Sequence, residues 1–300
     1  MILRAGTHRL ELGARPLLMG ILNATPDSFS EERGEEPLAV RVERGRALIA
    51  AGADLLDIGG ESARGDRPAV SVEEEIERVC GLIAALAGEA LISVDTYKPE
   101  VAEAAIEAGA VIVNDVSGLR DPRLAEVCAA SGAGLVLMHT AVAPKGTLLD
   151  PATYEDVVDE VVAFLRARMD AACAVGMDAE QIVLDPGPDF AKTPAQTVAI
   201  LRRLDAIAAL GRPILLAASR KDFVGAITGR VPAERDPGTL AALGYGVEHG
   251  ACILRVHDVA GTRDYFEVRA VLRGERVLGA LEGLSPERYP DGVPSHLSLG

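Results

Sequence analysis

Eight short runs of Val, Ile and Leu recur along the 300-residue chain and alternate with longer segments of helical period. This alternation indicates βα units around a parallel sheet. Strands that are apolar on both faces are what a sheet covered by helices requires. The runs are residues 17–23, 55–60, 91–96, 111–116, 135–139, 182–187, 213–219 and 252–257.

Eight such units favour a closed (β/α)8 TIM barrel. An open doubly wound sheet uses the same alternation, but it usually begins with a Gly-rich dinucleotide turn, and none follows the first run. The predicted helical segments include 40–51, 72–87, 99–108, 154–175, 196–209 and 240–248. The predicted organisation is an N-terminal cap over residues 1–16, a barrel over 17–275 and an irregular C-terminal tail over 276–300.

The net charge of the chain argues against some classes of binding partner. Thirty basic and 45 acidic side chains give a formal net charge of −15, which disfavours nucleic acid and anionic lipid. An anionic small substrate needs only a few cations that converge locally. The chain shows no signal peptide and no stretch of 18 apolar residues, so we expect a cytoplasmic protein. Four widely spaced cysteines without a CxxC pair disfavour zinc and disulfides and are interpreted as reduced core thiols: Cys80, Cys128, Cys173 and Cys252.

Polar side chains recur where the apolar runs end. In a barrel these ends meet at the C-terminal rim, where active sites of this fold are built. Asp95, Asn114 and Asp185 end three different runs. Two carboxylates and an amide suit a heterocycle with adjacent N–H donors, although each of these residues could instead cap a helix or order a loop.

Cations follow the last two runs. Ser219, Arg220 and Lys221 stand at the end of the seventh run, while Arg255 and His257 end the eighth run and lie on one side of its strand. Phosphate is often bound at this part of a barrel, and the alternative is a solvated rim of ion pairs.

Two further features flank the predicted strands. The segment 23–30 after the first run contains Pro26 and is predicted to form a loop that acts as a mobile lid. His139 at the end of the fifth run is either a ligand contact or a structural residue.

Seven ordered motifs between residues 17 and 273 resemble the dihydropteroate synthase family of pterin-binding barrels. They are GILNATPDSFS at 20–30, DIGGES at 57–62, ISVDTYKPEVA at 92–102, NDVSG at 114–118, LDPG at 184–187, SRK at 219–221 and RVHDV at 255–259. The resemblance implies condensation of 6-hydroxymethyl-7,8-dihydropterin diphosphate with 4-aminobenzoate, with release of pyrophosphate in the presence of Mg²⁺. It also implies a homodimer.

The resemblance also assigns roles to individual residues. The implied pterin-binding residues are Asp95, Asn114, Asp185 and Lys221. The implied diphosphate-binding residues are Asn23, Arg64, Arg255 and His257, with Asn23 also at the metal. The implied lid residues are Asp27 and Phe29. The implied aminobenzoate-binding residues are Ala63, Phe190, Ser219 and Asp222. The residues implied to act in catalysis are Asp27, Lys221, Arg255 and His257.

The chain departs from the family pattern where aminobenzoate would bind. The second loop reads ESARGDRP against the usual ESTRPG, and the sixth reads DPGPDFAK against DPGxGFGK, so Asp189 and Ala191 replace glycines. Asp222 stands where Ser or Arg is common, and the family's MHMxGxP is missing after His139. We therefore predict weak use of 4-aminobenzoate, because Ala63 lacks a hydroxyl and Asp222 adds a negative charge.

Three functions are compatible with these residues. The first is the synthase reaction, and the second is a related pterin-binding protein with little or no synthase activity. The third is a methyltetrahydrofolate methyltransferase that acts with a corrinoid partner. Such a methyltransferase would not need the cations assigned to the diphosphate.

Overall fold

The computed structural model describes residues 1–13, 15–25, 36–62, 68–146 and 149–279. Eight parallel strands close into a barrel in the order β10-β3-β4-β5-β6-β7-β8-β9, which confirms the predicted fold. The barrel strands are β3 (Leu17–Asn23), β4 (Leu55–Gly59), β5 (Leu91–Asp95), β6 (Ile112–Asp115), β7 (Gly134–Met138), β8 (Ile182–Asp185), β9 (Ile214–Leu216) and β10 (Ala251–Val256).

Helices alternate with these strands, as the 3.6-residue apolar period of the intervening segments predicts. They are α1 (Leu38–Ala50), α2 (Val72–Leu86), α3 (Pro99–Glu107), α4 (Arg123–Ser131), α5 (Val157–Ala174), α6 (Pro194–Arg202), α7 (Leu204–Ala208), α8 (Asp222–Thr228), α9 (Asp236–Glu248) and α10 (Val259–Leu272). The segment 196–209 was expected to be one helix. It forms two, because Arg203 leaves the helical region at φ −122° and separates α6 from α7.

A two-stranded antiparallel hairpin precedes the barrel and consists of β1 (Ile2–Ala5) and β2 (His8–Glu11). Its buried residues Leu3 and Ala5, with Leu12 after β2, belong to the same apolar cluster as Met19 and Leu55 of the barrel strands. Because the hairpin covers this cluster, the carboxyl ends of the strands form the face that is available for a site.

Side-chain caps fix where several helices begin after these loops. Ser71 accepts a hydrogen bond from the Glu74 N–H at the start of α2, and Asp156 accepts from Val158 and Asp159 at the start of α5. Such caps satisfy N–H groups that have no partner within the helix. The rim loops between strand and helix are therefore anchored at their far ends.

The chain divides into two compact units, Met1–Arg263 and Asp264–Gly300. The first contains the hairpin and all eight barrel strands. The second contains the last part of α10 and the segment that follows it. Across the described ranges, no helix combines the length and apolarity needed to span a membrane.

All four cysteines are free. Cys128 and Cys252 are buried, as expected for core thiols, and Cys80 is partly buried. The prediction was wrong for Cys173, which is exposed. It lies in α5, next to the buried Ala172, and so belongs to the solvent-facing side of an amphipathic helix.

Candidate active site

A cavity of about 260 Å³ opens at the carboxyl ends of the barrel strands. It gathers seven residues that were predicted for the site from distant parts of the sequence: Asn23, Asp95, Asn114, Asp185, Phe190, Arg255 and His257. The barrel therefore brings together the residues that the sequence places at the ends of separate strands.

A buried carboxylate on β4 organises the floor of this cavity. Asp57 is fully buried. Its Oδ1 accepts from Ser93 Oγ at 2.6 Å, and its Oδ2 accepts from Asn114 Nδ2 at 3.0 Å and from Arg255 Nε at 2.6 Å. Each partner comes from a different strand, so one side chain fixes the positions of three others.

Arg255 lies between two carboxylates. Its Nε donates to Asp57, and its Nη2 donates to Asp95 Oδ2 at 2.8 Å. Burial raises the pKa of Asp95 above the ordinary value for an aspartate, while the charge of Arg255 opposes that rise. Arg255 therefore already pairs with one carboxylate of the predicted pterin set, Asp95, before any ligand enters.

Asn114 and Asp185 present acceptors to the cavity. Because Asn114 Nδ2 donates to Asp57, its Oδ1 is the atom left for a ligand, and this buried oxygen has no partner within the described residues. Asp185 Oδ1 accepts from the Gly187 N–H at 2.7 Å. Burial raises the pKa of Asp185 to about 6, with the Gly187 bond and Lys221 opposing the rise. A ligand with adjacent N–H groups would satisfy both side chains.

Ser219 and His257 form a second pair at the rim. Ser219 Oγ accepts from the backbone N–H of His257 at 3.2 Å and lies 2.9 Å from its Nδ1. Burial, assisted by Arg220 and Arg255, lowers the pKa of His257 to about 4. The imidazole is therefore neutral at pH 7. If the Ser219 hydroxyl donates to Nδ1, the Nε2–H is the ring donor left for a ligand.

The loop after β8 carries Phe190 and is held from beneath by Lys192. The ammonium of Lys192 is almost fully buried and donates to the carbonyl oxygens of His139, Gly187 and Phe190 at 2.9–3.1 Å. Its burial lowers its pKa to about 7. A charge held by three carbonyls fixes the backbone that presents Phe190 to the cavity.

Lys221, at the start of α8, lies beside this loop. Its Nζ is 4.2 Å from the centre of the Phe190 ring, within the range of a cation–π contact. Burial lowers the pKa of Lys221, and Asp189 and Asp185 are the carboxylates that most oppose this effect. Lys221 therefore contacts Phe190, which lines the cavity, but Lys221 is not itself among the lining residues.

Asp189 and Asp222 differ from the expectation drawn from the sequence. The Asp222 side chain is 83% exposed, and its carboxylate pairs with Arg235 at 2.8 Å rather than lining the cavity. Asp189 Oδ2 instead accepts from the backbone N–H groups of Asp222 at 2.5 Å and Phe223 at 3.2 Å. The carboxylate next to the Lys221 backbone is therefore contributed by the sixth loop and not by α8 itself.

His139 packs among aromatic side chains, and its buried Nδ1 has no hydrogen-bond partner within the described residues. Its ring packs at 4.8 Å from Phe164 and 5.8 Å from Tyr154, measured between ring centres. Burial lowers its pKa to about 3. Four residues predicted for the lid, diphosphate and aminobenzoate sites lie outside the described ranges: Asp27, Phe29, Ala63 and Arg64.

Sequence reasoning missed Asp57, Lys192 and the role of Asp189. A signal for Asp57 was available, because a carboxylate in the middle of an apolar strand must find partners. Lys192 carried no comparable signal, since a single lysine in a loop is usually solvated. The position of Asp189 depends on a contact with residues 33 and 34 positions further along the chain.

Residues 19–257 match the family described as pterin binding enzymes. This chain belongs to that family. A dihydropteroate synthase from Synechocystis is 41% identical over 261 residues, which is 86% of this chain and 90% of the relative.

Solved structures of dihydropteroate synthases are also similar to this chain, in both fold and sequence. A Xanthomonas albilineans dihydropteroate synthase with 4-aminobenzoic acid has a TM-score of 0.83 at 41% identity, covering 91% of this chain and 99% of that one. The same organism's enzyme in complex with 7,8-dihydropteroate has a TM-score of 0.80 at 41% identity, covering 90% and 98%.

Proposed function

We propose that this chain is a dihydropteroate synthase, which joins 6-hydroxymethyl-7,8-dihydropterin diphosphate to 4-aminobenzoate and releases pyrophosphate. The observation that carries the proposal is the buried acceptor set at the barrel mouth, where Asn114 Oδ1 has no partner among the residues that the structure describes and Asp185 lines the same cavity. The synthases that share about 40% of its residues support it.

The pterin is assigned to Asp95, Asn114, Asp185 and Lys221. Two carboxylates and one amide oxygen can accept from the ring N–H and amino groups of a pterin, and charge-assisted bonds of this kind are strong. Asp57 is a positioning residue in this scheme, because it orients the amide of Asn114. The acceptor geometry is then fixed before the heterocycle enters.

The diphosphate is assigned to Asn23, Arg64, Arg255 and His257. The support among the described residues is that Asn23, Arg255 and His257 line one cavity with the pterin residues. A neutral His257 with an outward N–H can donate to a phosphoryl oxygen. Arg255 supplies a positive charge that is held in place by two carboxylates.

The amine is assigned to the outer side of the cavity, near Ala63, Phe190 and Ser219, whereas Asp222 pairs with Arg235 outside the cavity. Phe190 offers an aromatic surface against which an arylamine ring can pack. In this arrangement the amino group faces the pterin methylene carbon, and the carboxylate end lies towards the second loop and the start of α8.

Mg²⁺ fits this site as a cofactor held largely by substrate and water. Asn23 lines the cavity with a neutral amide oxygen, and no group of three or more His, Cys, Asp or Glu suited to a metal occurs in the described ranges. Mg²⁺ commonly keeps several waters and binds through substrate phosphates. We therefore assign Asn23 Oδ1 as its protein ligand, and the ion would neutralise charge on the leaving pyrophosphate.

The reaction needs positioning and charge stabilisation more than a strong base. The bond between the pterin methylene carbon and the diphosphate oxygen breaks, and its electron pair leaves on pyrophosphate. The amine nitrogen then forms the new C–N bond and loses a proton to the departing pyrophosphate or to water. We assign the negative charge of Asp95 and Asp185 to stabilise the cationic pterin, and Arg255 and His257 to stabilise the leaving group. Asp27 and Lys221 complete the set that we assign to catalysis.

We also propose a cytoplasmic homodimer. Exposed apolar side chains of the α8–α9 segment, Ile227, Val231 and Tyr245, support association, and four free cysteines fit a reducing compartment. Sedimentation velocity at micromolar concentration tests the dimer, and cell fractionation tests the compartment.

Pyrophosphate release from purified protein tests the main proposal. The assay contains pterin diphosphate and 4-aminobenzoate, with and without Mg²⁺, and the dihydropteroate product is identified by mass spectrometry. We expect product that depends on both substrates and is lost after chelation of Mg²⁺. Pterin binding without pyrophosphate release under any condition would contradict the synthase assignment.

A further inference from the structure

We propose that Lys145 is a specificity-determining residue that allows the site to accept an amine substrate with a carboxylate, because it balances the charge of Glu61 in the cavity wall. The inference rests on the proposed function, which directs the carboxylate of 4-aminobenzoate towards the second loop. It goes further by naming the cation that makes this side of the site neutral, a lysine of the loop after β7.

Glu61 places a negative charge at the base of the second loop. It lines the 260 Å³ cavity together with Ser62, and the same two residues line a smaller cavity that also reaches Phe190. Only 3% of the Glu61 side chain is exposed, so water screens its charge poorly. An unbalanced carboxylate here would repel the anionic end of an incoming amine. The site therefore needs cations beside Glu61.

Lys98 alone does not provide this balance. Its Nζ lies 2.7 Å from Glu61 Oε2 and 2.6 Å from Glu75 Oε2, and it also donates to the carbonyl oxygen of Val70 at 2.6 Å. Glu75 is buried as well. One ammonium group is thus shared between two buried carboxylates, and these three side chains carry a charge of −1 when all are ionised.

Lys145 contributes the second cation. Its Nζ lies 3.0 Å from Glu61 Oε1 and donates to the carbonyl oxygen of Ser62. The side chain is largely buried and lines the smaller cavity. Lys145 has a φ of +68°, a left-handed conformation that is uncommon for a lysine. The turn directs an ammonium group at Glu61, so that two carboxylates are matched by two lysines.

A role in charge balance and a role in loop support predict different results for two amines. The uncharged amide, 4-aminobenzamide, can pack its ring on Phe190 but brings no negative charge towards Glu61. Loss of the Lys145 charge should therefore weaken the use of 4-aminobenzoate and leave the amide nearly unaffected. A distorted loop would affect both amines.

The test compares kcat/KM for the two amines at saturating pterin diphosphate. We expect Lys145→Met to lower the value for 4-aminobenzoate about tenfold, mainly through KM, and the value for 4-aminobenzamide less than about twofold. Lys145→Arg keeps the charge, and its ratio of the two values should stay within about threefold of the wild type. Melting curves show whether each variant is folded.

A double variant separates charge from structure further. Glu61→Gln combined with Lys145→Met removes one charge of each sign, and the ratio should return to within about threefold of the wild type. Glu61→Gln alone leaves a positive excess and should shift the ratio in favour of 4-aminobenzoate. A structural tie would not recover in the double variant, because both charged partners are absent.

Arg46→Met is the matched control. Arg46 pairs with Glu43 and Glu89, and Glu89 lies between α2 and β5, at the amino ends of the barrel strands. Its substitution should leave the ratio of the two amines unchanged. Equal changes for both amines in Lys145→Met, or no recovery in the double variant, overturn the inference while the synthase assignment stands.

Binding provides a second measurement that does not need turnover. Calorimetry with each amine, at saturating pterin and pyrophosphate, should show weaker binding of 4-aminobenzoate to Lys145→Met than to the wild type and similar binding of 4-aminobenzamide. Equal losses for the two amines refute the inference even if no variant turns over. A loss confined to 4-aminobenzoate without any product would support the role of Lys145 and count against the synthase assignment alone.

Discussion

The fully buried carboxylate of Asp57 gives the sharpest test of how this site is built. Its Oδ2 accepts hydrogen bonds from both Arg255 and Asn114, and its Oδ1 accepts one from Ser93. An Asn in its place can satisfy the same partners if its oxygen takes the Oδ2 position and its NH₂ donates to Ser93 Oγ. Asp57→Asn therefore removes mainly the charge that holds Arg255.

The size of the effect follows from that one interaction. A hydrogen bond to a charged group contributes about 1.5–3 kcal/mol, so Asp57→Asn should lower the free energy of unfolding by about 2 kcal/mol. Asp57→Ala also leaves three donors without an acceptor and should cost about 3–5 kcal/mol, the range for breaking a buried ion pair. We expect pterin affinity of Asp57→Asn to fall about tenfold, because Asn114 and Arg255 lose their fixed positions.

Asp95→Asn is the comparison that isolates the role of Asp57. Asp95 also pairs with Arg255, but burial already raises its pKa, so its charged form is costly. Its substitution should change the free energy of unfolding by less than about 1 kcal/mol and still weaken pterin binding strongly. Asp57 and Asp95 thus divide into a positioning residue and a ligand-binding residue.

Urea unfolding followed by circular dichroism suits these measurements, because the chain has no tryptophan. Pterin affinity is measured by calorimetry on the same samples at pH 7.5. The reasoning is refuted if Asp57→Asn changes the free energy of unfolding by no more than about 0.5 kcal/mol, as a surface substitution would. It is also refuted if Asp95→Asn proves the more destabilising of the two.

Three further predictions concern the site and its loop. Pterin affinity should fall as the pH drops through about 6, because the pKa of Asp185 is raised to about 6 and its protonated form loses an acceptor; a constant affinity in calorimetry from pH 5 to 8 contradicts this. His257→Ala should weaken pyrophosphate binding about tenfold more than binding of the bare hydroxymethyl pterin, and equal losses would show that the residue only supports the rim. Ala191→Gly should stabilise the protein by about 1 kcal/mol in urea unfolding, because Ala191 has a φ of +51°, whereas Ala163→Gly on the exposed face of α5 should destabilise it by a similar amount.

The barrel was predictable because its signal is repetitive and local. Each strand is a short apolar run, and a parallel sheet sends all carboxyl ends to one rim, so residues such as Asn23, Asp95 and Asp185 could be grouped without knowledge of any contact. Helix ends were less predictable. Arg203 interrupts a segment whose composition alone indicates one continuous helix.

The partners of the charged residues could not be read from the sequence. Asp57 and Arg255 are separated by 198 positions, and Asp95 and Arg255 by 160. Asp222 was assigned to the amine end of the site because it departs from the family pattern after Lys221, and nothing in the sequence linked Asp189 to the start of α8. In the structure the backbone N–H groups of Asp222 and Phe223 donate to the Asp189 carboxylate, because the sixth loop folds back over the start of α8.

The charge pattern of the mouth explains how a protein with a net charge of −15 can hold a diphosphate under the proposed function. Its central cation, Arg255, is shared between Asp57 and Asp95, so the group as a whole is not positive when both carboxylates are ionised. A proton on Asp95, whose pKa burial raises, removes one of these negative charges and exposes more of the field of Arg255 to the diphosphate. Diphosphate binding should then favour the protonated form of Asp95, by the linkage that relates ligand affinity to proton binding. The pterin half favours the opposite state, because it is assigned acceptors on both Asp95 and Asp185, so the two halves of one substrate make opposite demands on the protonation of Asp95.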